Sequence, residues 1–369
     1  KEAEEKRPHM RRLADQLGGI FAPISLAVAL FAWLYSGDPL RFLSVLVIAT
    51  PCPLLIAIPV ALISAISLAA RRGIIISDPA VLEKLPTCTT AIFDKTGTLT
   101  YGEPVLKEII TSRDGSSDDI LSKVASLEQY SKHPLAKAVI DAAKARKVYL
   151  AAAKNVQEKP GHGMMGEVFG HKILITSRKK FAQKELLPKA TLGLECVVLI
   201  DDQYAALMRF YDAPKTDSHS FISHLEASHP FNKIMLLSGD REIEVAYLAK
   251  QLGIELALSS KSPEEKLAIV QEEVKLAPTL FMGDGINDAP ALRVATVGIA
   301  FGQPTKVTQE AAGAVVMQNS LAKVDELLHL SQDMRKIAIQ SAVGGILLSF
   351  LGMGLASFGL ISPVLGAIL

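Results

Sequence analysis

Two short motifs hold the residues best suited to chemistry. Asp94-Lys95-Thr96-Gly97-Thr98 comes directly after the apolar run Thr90-Ala91-Ile92-Phe93. A carboxylate at the carboxyl end of a strand, with Gly97 loosening the turn behind it, is placed to meet a phosphoryl group. Such a carboxylate can attack the γ-phosphate of ATP and form an acyl phosphate. The reaction needs a cation, donors for the phosphoryl oxygens and an electrostatic clamp. The second motif, Gly283-Asp284-Gly285-Ile286-Asn287-Asp288, offers two carboxylates, Asp284 and Asp288, that can converge on Mg2+, an oxygen-seeking ion.

Ser238, after the apolar run Lys233–Leu237, can donate a hydrogen bond. Lys266, in Pro263-Glu264-Glu265-Lys266, can neutralise phosphoryl charge. Asp-Gly turns are common and a lone lysine is usually a surface residue, so each feature alone says little. Together and in this order, with each key carboxylate after a strand, they read as a phosphoryl-transfer site. Its catalytic candidates are Asp94, Thr96, Ser238, Lys266 and Asn287.

Two further groups lie elsewhere. Ser131-Lys132-His133-Pro134 offers an imidazole that can stack on or hydrogen-bond adenine, and Gly161-His162-Gly163 is a turn through which backbone can approach a nucleotide. Short motifs like these match by chance often. Thr50-Pro51-Cys52-Pro53 lies inside an apolar stretch. Pro51 and Pro53 cannot donate to the carbonyls of Val47 and Ala49, and Pro59 repeats this at Leu55. Helices broken in this way are where transporters place ion sites, and Cys52 adds a soft ligand at the break. The plainer alternative is a packed cysteine in a kinked helix. Gln340, Ser341 and Met353 are further ligand candidates, although Met353 in an apolar span suits packing better.

The elements that must position these residues follow from patterning. Strands ending at Asp94, Ser238 and Asp284, and the run Val297–Ala300, alternate with helical patterns at Glu242–Leu252 and Pro263–Val274. That alternation predicts a parallel α/β sheet with ligands at the strand carboxyl ends. Between Val105 and about Phe210 the texture is α+β: a helical stretch Leu121–Ala145, a β run Glu167–Thr176, and a hairpin Glu195–Phe210 turning at Asp201-Asp202. It reads as a module inserted after the first strand.

Leu17–Gly37, Phe42–Ala70 and Ile337–Leu369 are free of charge over membrane-spanning lengths. Arg11, Arg12, Arg71, Arg72, Arg335 and Lys336 flank them, which puts the long stretch between Arg71 and Lys336 on the cytosolic side. The chain has 369 residues and a net charge of +1, which gives no sign of a nucleic-acid partner. Cys52, Cys88 and Cys196 lie far apart and form no disulfide framework. The chain lacks an initiator Met and is expected to be a fragment.

Asp94–Thr98 and Gly283–Asp288 are similar to the two signature motifs of P-type ATPases, which belong to the haloacid-dehalogenase-like (HAD-like) superfamily, and the resemblance runs over almost the whole chain. It implies a multidomain membrane protein with α-helical transmembrane segments. A cytosolic HAD-like, Rossmann-like α/β phosphorylation domain would carry an inserted α+β nucleotide-binding domain. The expected boundaries are stalk 1–16, spans 17–37 and 42–70, stalk 71–88, phosphorylation domain 89–104 and 211–330, nucleotide-binding domain 105–210, span 335–357 and the start of another at 359–369. By the resemblance, Asp94 is phosphorylated by ATP. Asp94, the Thr96 carbonyl and Asp284 hold Mg2+, Asp288 supports that site, and Lys215 contacts nucleotide where the family usually has Arg. Ser238 stands where the family more often has Thr.

Within the family, His133-Pro134, Gly161, Gly163 and Glu128 resemble the nucleotide site of the heavy-metal branch, with Lys132 in place of a Glu and Ser177 in place of the common Asn. Thr50-Pro51-Cys52 resembles that branch's metal motif, often Cys-Pro-Cys. With one thiolate fewer, it favours Ni2+, Co2+, Fe2+ or Zn2+ over copper(I). The implied activity is ATP-driven export of a transition-metal cation across a plasma (inner) membrane. No Thr-Gly-Glu tripeptide of an actuator domain occurs, so the actuator and remaining helices are expected as missing partners, and these residues alone should not complete a cycle. The alternatives are a pump for another cation, a membrane-tethered phosphatase and a nucleotide sensor that has lost catalysis. Phosphatases of the superfamily usually carry an acid/base Asp where this chain has Thr96.

Overall fold

The computed structural model describes residues 9–49, 52–112, 115–159, 163–284, 286–302 and 305–368. Contacts divide the chain into two compact units. One takes Lys1–Ile92, His224–Lys233 and Pro263–Leu369; the other takes Phe93–Ser223 and Ile234–Ser262.

The first unit carries the apolar helices. His9–Ser36 is followed by Pro39–Ile48, whose start is fixed by Pro39 and by the Asp38 carboxylate accepting from Leu40 N at 2.9 Å. Cys52–Arg71 begins a separate helix, and Thr50 and Pro51 lie outside the described residues. Among the described residues, two helices are long and apolar enough to cross a membrane, through Gly19–Ser36 with mean hydropathy 1.8 and through Ala322–Ser357 with 1.7. The latter starts well before the apolar run at Ile337, so amphipathic turns that bury Val324, Leu327, Leu328 and Met334 precede its apolar part. A last short helix covers Pro363–Ile368. Phe21, Ala29, Ala32, Val45, Met353, Ala356 and Ile361 bury one another, while Phe31, Leu34 and Leu348 stay exposed on faces suited to lipid. Met353 is therefore a packing residue, and Gln340 and Ser341 are exposed.

The same unit contains α/β structure. Thr279–Gly283 pairs in parallel with Val297–Phe301 through Leu280 and Val297, and Val297–Phe301 with Ala314–Val316 through Ile299 and Ala314. Ile74–Ile76 adds an antiparallel edge. Every residue of Thr279–Gly283 and Val297–Phe301 is buried, as strands covered on both faces must be, which explains their unbroken apolar runs.

In the second unit, Met235–Leu237 of the strand Lys233–Leu237 pairs in parallel with Leu256–Leu258, and the helix Glu242–Leu252 between them ends on Gly253 at φ +79°. The inserted module is a six-stranded antiparallel sheet. In order across it lie Val105–Thr111, Gln203–Tyr211, Leu194–Ile200, His171–Ser177, Gly163–Val168 and Lys154–Lys159. The hairpin expected at Asp201-Asp202 is present, with both residues at positive φ and Ile200 paired to Gln203. Two expectations are corrected here. The helical stretch 121–145 is two helices, Ser117–Glu128 and Pro134–Ala145, because Pro134 can start a helix but not continue one. The run 167–176 is split by a turn at Phe169-Gly170, both at positive φ, so Val168 pairs with His171.

Candidate functional site

Asp94 ends the strand Thr90–Asp94, whose Ala91, Ile92 and Phe93 are fully buried, and is itself 4% exposed. Its Oδ2 accepts from Thr96 N at 3.1 Å, so the chain that leaves the strand turns back over the carboxylate. Gly97 sits at φ +72°, where a Cβ is strained. The turn is then fastened from outside. Lys215 Nζ donates to the carbonyls of Gly97 at 3.0 Å and Thr98 at 2.8 Å, and Ser218 Oγ to that of Leu99 at 2.7 Å. Asp212 accepts from Thr100 Oγ1 at 2.6 Å and from Gly102 N at 2.9 Å, while burial raises its carboxyl above the ordinary range.

Around this turn lies a charge cluster that sequence reasoning missed. Lys95 bonds Asp240 and lies 3.5 Å from Glu244 Oε2. Burial alone would lower its ammonium, but Asp240, Glu244 and Asp212 outweigh that and hold it above the usual lysine range. Ser238 is 2% exposed, and its Oγ accepts from Asp240 N at 3.1 Å, which leaves the hydroxyl proton to donate elsewhere. Lys95 sits inside the Asp94–Thr98 motif, and Asp240 lies two residues after Ser238. Their pairing, 145 residues apart, has no sequence signal.

In the other unit, Asp284 follows the strand Thr279–Gly283 and is half-buried. Lys266, on the helix Pro263–Leu276, is buried, and its Nζ donates to Asp288 Oδ1 at 2.9 Å. Asp288 is 2% exposed and presses on the strand end: a Cβ added to Gly283 would come 2.7 Å from its Oδ2. The structure thus brings Lys266 and Asp288 together as a buried pair. Asn287 is exposed, and Gly285 lies outside the described residues. The Asp94 carboxylate and the Thr96 carbonyl offer hard oxygens, the donor type that Mg2+ takes, and in its own unit Asp284 offers another.

In the inserted module, His133 caps the helix Pro134–Ala145. Its Nδ1 accepts from Leu135 N at 3.2 Å, and its backbone N–H donates to Ser131 Oγ at 3.0 Å. With Nδ1 occupied as an acceptor, the neutral ring carries its proton on Nε2 of an exposed side chain. Glu128 ends the preceding helix and is 6% exposed, and its Oε2 is buried with no hydrogen-bond partner. Burial pushes its carboxyl up to about 7; the Ser131 hydroxyl opposes that and Glu158 adds to it. Gly163 is at φ +100°, and a Cβ there would fall 2.0 Å from the Ile175 carbonyl oxygen. Gly161 and His162 lie outside the described residues. Ser177 pairs with Cys196 across the sheet, and burial pushes the Cys196 thiol up to about 12, so it stays protonated. Of the transported-ion motif, the structure describes the backbone of Cys52 as the first residue of its helix.

A family profile described as haloacid dehalogenase-like hydrolase matches residues 88–296. A zinc/cadmium/lead-transporting P-type ATPase of Escherichia coli (strain K12) is 33% identical over 350 residues, covering 90% of this chain and 47% of that protein. A copper-transporting ATPase of Helicobacter felis is 35% identical over 338 residues, with 89% and 46% covered. The chain spans about half the length of these curated relatives. The crystal structure of a zinc-transporting PIB-type ATPase in the E2.Pi state superposes with a TM-score of 0.84 at 30% identity, covering all of this chain and 63% of that one.

Proposed function

The chain belongs to the haloacid dehalogenase-like hydrolase family, and from that premise we propose that it is the catalytic part of a P-type ATPase that exports a heavy-metal cation. ATP phosphorylates Asp94 in each cycle: an Asp94 carboxylate oxygen bonds the γ-phosphorus, the bond to the bridging oxygen breaks, and ADP leaves. The observation that carries this reading is the Asp94 turn. The carboxylate is oriented by Thr96 N–H at 3.1 Å, and the position that in soluble phosphatases carries an acid/base Asp holds a Thr. An acyl phosphate formed there has no neighbouring acid/base group of that kind to hydrolyse it.

Mg2+, held by Asp94, the Thr96 carbonyl and Asp284, would neutralise phosphoryl charge. Asp288 supports Asp284 from its bond with Lys266, Ser238 donates to a phosphoryl oxygen, and Asn287 lines the same motif. Lys215 acts by holding the loop carbonyls. Glu128, His133, Gly161 and Gly163 form the adenine side of the ATP site, with the Glu128 Oε2 that lacks a partner available to an amine donor. The apolar helices cross a plasma (inner) membrane, with the α/β parts in the cytosol. For the cargo, relatives named for zinc, cadmium, lead and copper bracket the class. The single thiolate of Cys52 favours a borderline divalent cation over copper(I).

The test is to incubate the chain with γ-labelled ATP and Mg2+, quench in acid and look for label that hydroxylamine releases. Label on the wild-type chain and none on Asp94→Asn is expected; equal labelling of the variant overturns the assignment. A panel of Zn2+, Ni2+, Co2+, Fe2+ and Cu+ against the full-length pump, with and without Cys52→Ala, then names the cargo.

A further inference from the structure

Four metal-ligating side chains converge away from the motifs above, all within the first unit. His224 lies near the end of the helix Ser218–Ser228, and His229 just beyond it. Asp325 and His329 are one turn apart at the start of the helix Ala322–Ser357. Their ligand atoms lie within 4.8 Å of one another. His224 Nε2 is 3.4 Å from His329 Nε2 and 3.2 Å from Asp325 Oδ1; His229 Nε2 is 3.1 Å from the same Oδ1, and His329 Nε2 is 3.6 Å from Asp325 Oδ2. A tetrahedral zinc ion with bonds of 2.0–2.1 Å sets its ligand atoms about 3.4 Å apart. The separations of 3.1, 3.2 and 3.4 Å among the three Nε2 atoms and the single oxygen Asp325 Oδ1 lie near that edge.

Two features go beyond a cluster of polar groups. Two of the three far nitrogens are held: Ser228 Oγ is 3.3 Å from His224 Nδ1, and Gln332 Nε2 is 3.1 Å from His229 Nδ1. Ligating imidazoles are oriented by such partners. Turning the Gln332 amide over makes its oxygen the acceptor for Nδ1–H and turns the Nε2 lone pair of His229 inward. The His229 side chain is also fully buried, its relative exposure 0%, and still directs Nε2 at the shared carboxylate. Without an ion, two imidazole nitrogens 3.4 Å apart face each other and compete for one aspartate. A dication accepts all four lone pairs and is partly neutralised by Asp325.

We propose that His224, His229, His329 and Asp325 form a tetrahedral site for a borderline divalent cation, Zn2+ above all, which fastens the His224–His229 segment to the start of the long helix. The site is separate in sequence from Cys52 and from the Asp94 and Asp284 motifs, and it stands whether or not the transport reading does.

The probe is Zn2+ alone, titrated in excess Mg2+ into the full chain carrying Cys52→Ala, against a competing chromophoric chelator. One tight equivalent is expected. Adding His329→Ala or Asp325→Asn should weaken it by more than the about 10–100-fold that loss of a ligand's hydrogen-bond partner costs. Co2+ in the same site should show the intense visible bands of tetrahedral coordination. Because variants can perturb folding, the unsubstituted chain supplies a second readout: Zn2+ should protect His224 and His329, both part-exposed, from acylation by diethylpyrocarbonate. No tight equivalent, retention of it in His329→Ala, an octahedral Co2+ spectrum or unprotected histidines would each overturn the site.

Discussion

The carbonyls of Gly97, Thr98 and Leu99 behind Asp94 take their hydrogen bonds from Lys215 and Ser218. Glu128 is as deeply buried, yet its Oε2 has no partner and its carboxyl is pushed up to about 7. In one region the backbone carbonyls are wired by the chain's own donors, although the buried Thr98 Oγ1 beside them has no partner; in the other a buried carboxyl oxygen is left open. The difference matches the role proposed above for each. A nucleophile's turn must already have its geometry when the phosphate arrives, whereas a binding wall gains affinity from a group that a ligand can satisfy.

The largest effect expected is on the scaffold of the open region. Gly163→Ala would place a Cβ 2.0 Å from the Ile175 carbonyl oxygen at φ +100°, and should destabilise the inserted module by about 4 kcal/mol or more. Urea unfolding followed by hydrogen exchange in that sheet checks it. A loss below about 1 kcal/mol would mean that the turn relaxes and is not a rigid wall.

Lys215→Met next tests the wired region. It strands two carbonyls and should cost about 3 kcal/mol of stability and about 100-fold in phosphorylation of Asp94, with ATP affinity unchanged. A matching fall in ATP affinity would instead make Lys215 a nucleotide contact, as the family resemblance implies.

Glu128→Gln probes the open acceptor through pH. The folded carboxyl keeps its proton up to about pH 7, while the unfolded chain releases it in the ordinary carboxylate range. The folded state therefore binds more protons in that window, and stability should be greatest below it and fall as pH rises through about 7. Glu128→Gln should flatten this fall, worth of order 3 kcal/mol, in urea midpoints taken from pH 4 to 8. An unchanged profile would mean that Glu128 is ionised and partnered after all.

The smallest effect separates two roles of His133. Asparagine also caps helices, so His133→Asn should leave melting within about 0.5 kcal/mol of wild type and weaken ATP binding about tenfold. Unchanged affinity would leave His133 as a cap alone.

Much of this was legible in the sequence for a physical reason. Strands buried on both faces must be apolar, and a phosphoryl site needs carboxylates where they end, so Thr90–Asp94, Lys233–Leu237 and Thr279–Gly283 declared themselves locally. The Asp201-Asp202 turn did the same, because few residues tolerate paired positive φ. Sequence alone therefore determined the α/β and α+β character, the apolar helices and the two carboxylate motifs proposed for phosphoryl transfer. Tertiary structure decided what depends on partners far along the chain. It set Lys215 on the Asp94 turn and left Glu128 Oε2 alone in the interior. It also brought His224 to His329 across 105 residues. Burial and convergence are properties of packing, and no local pattern of residues encodes them.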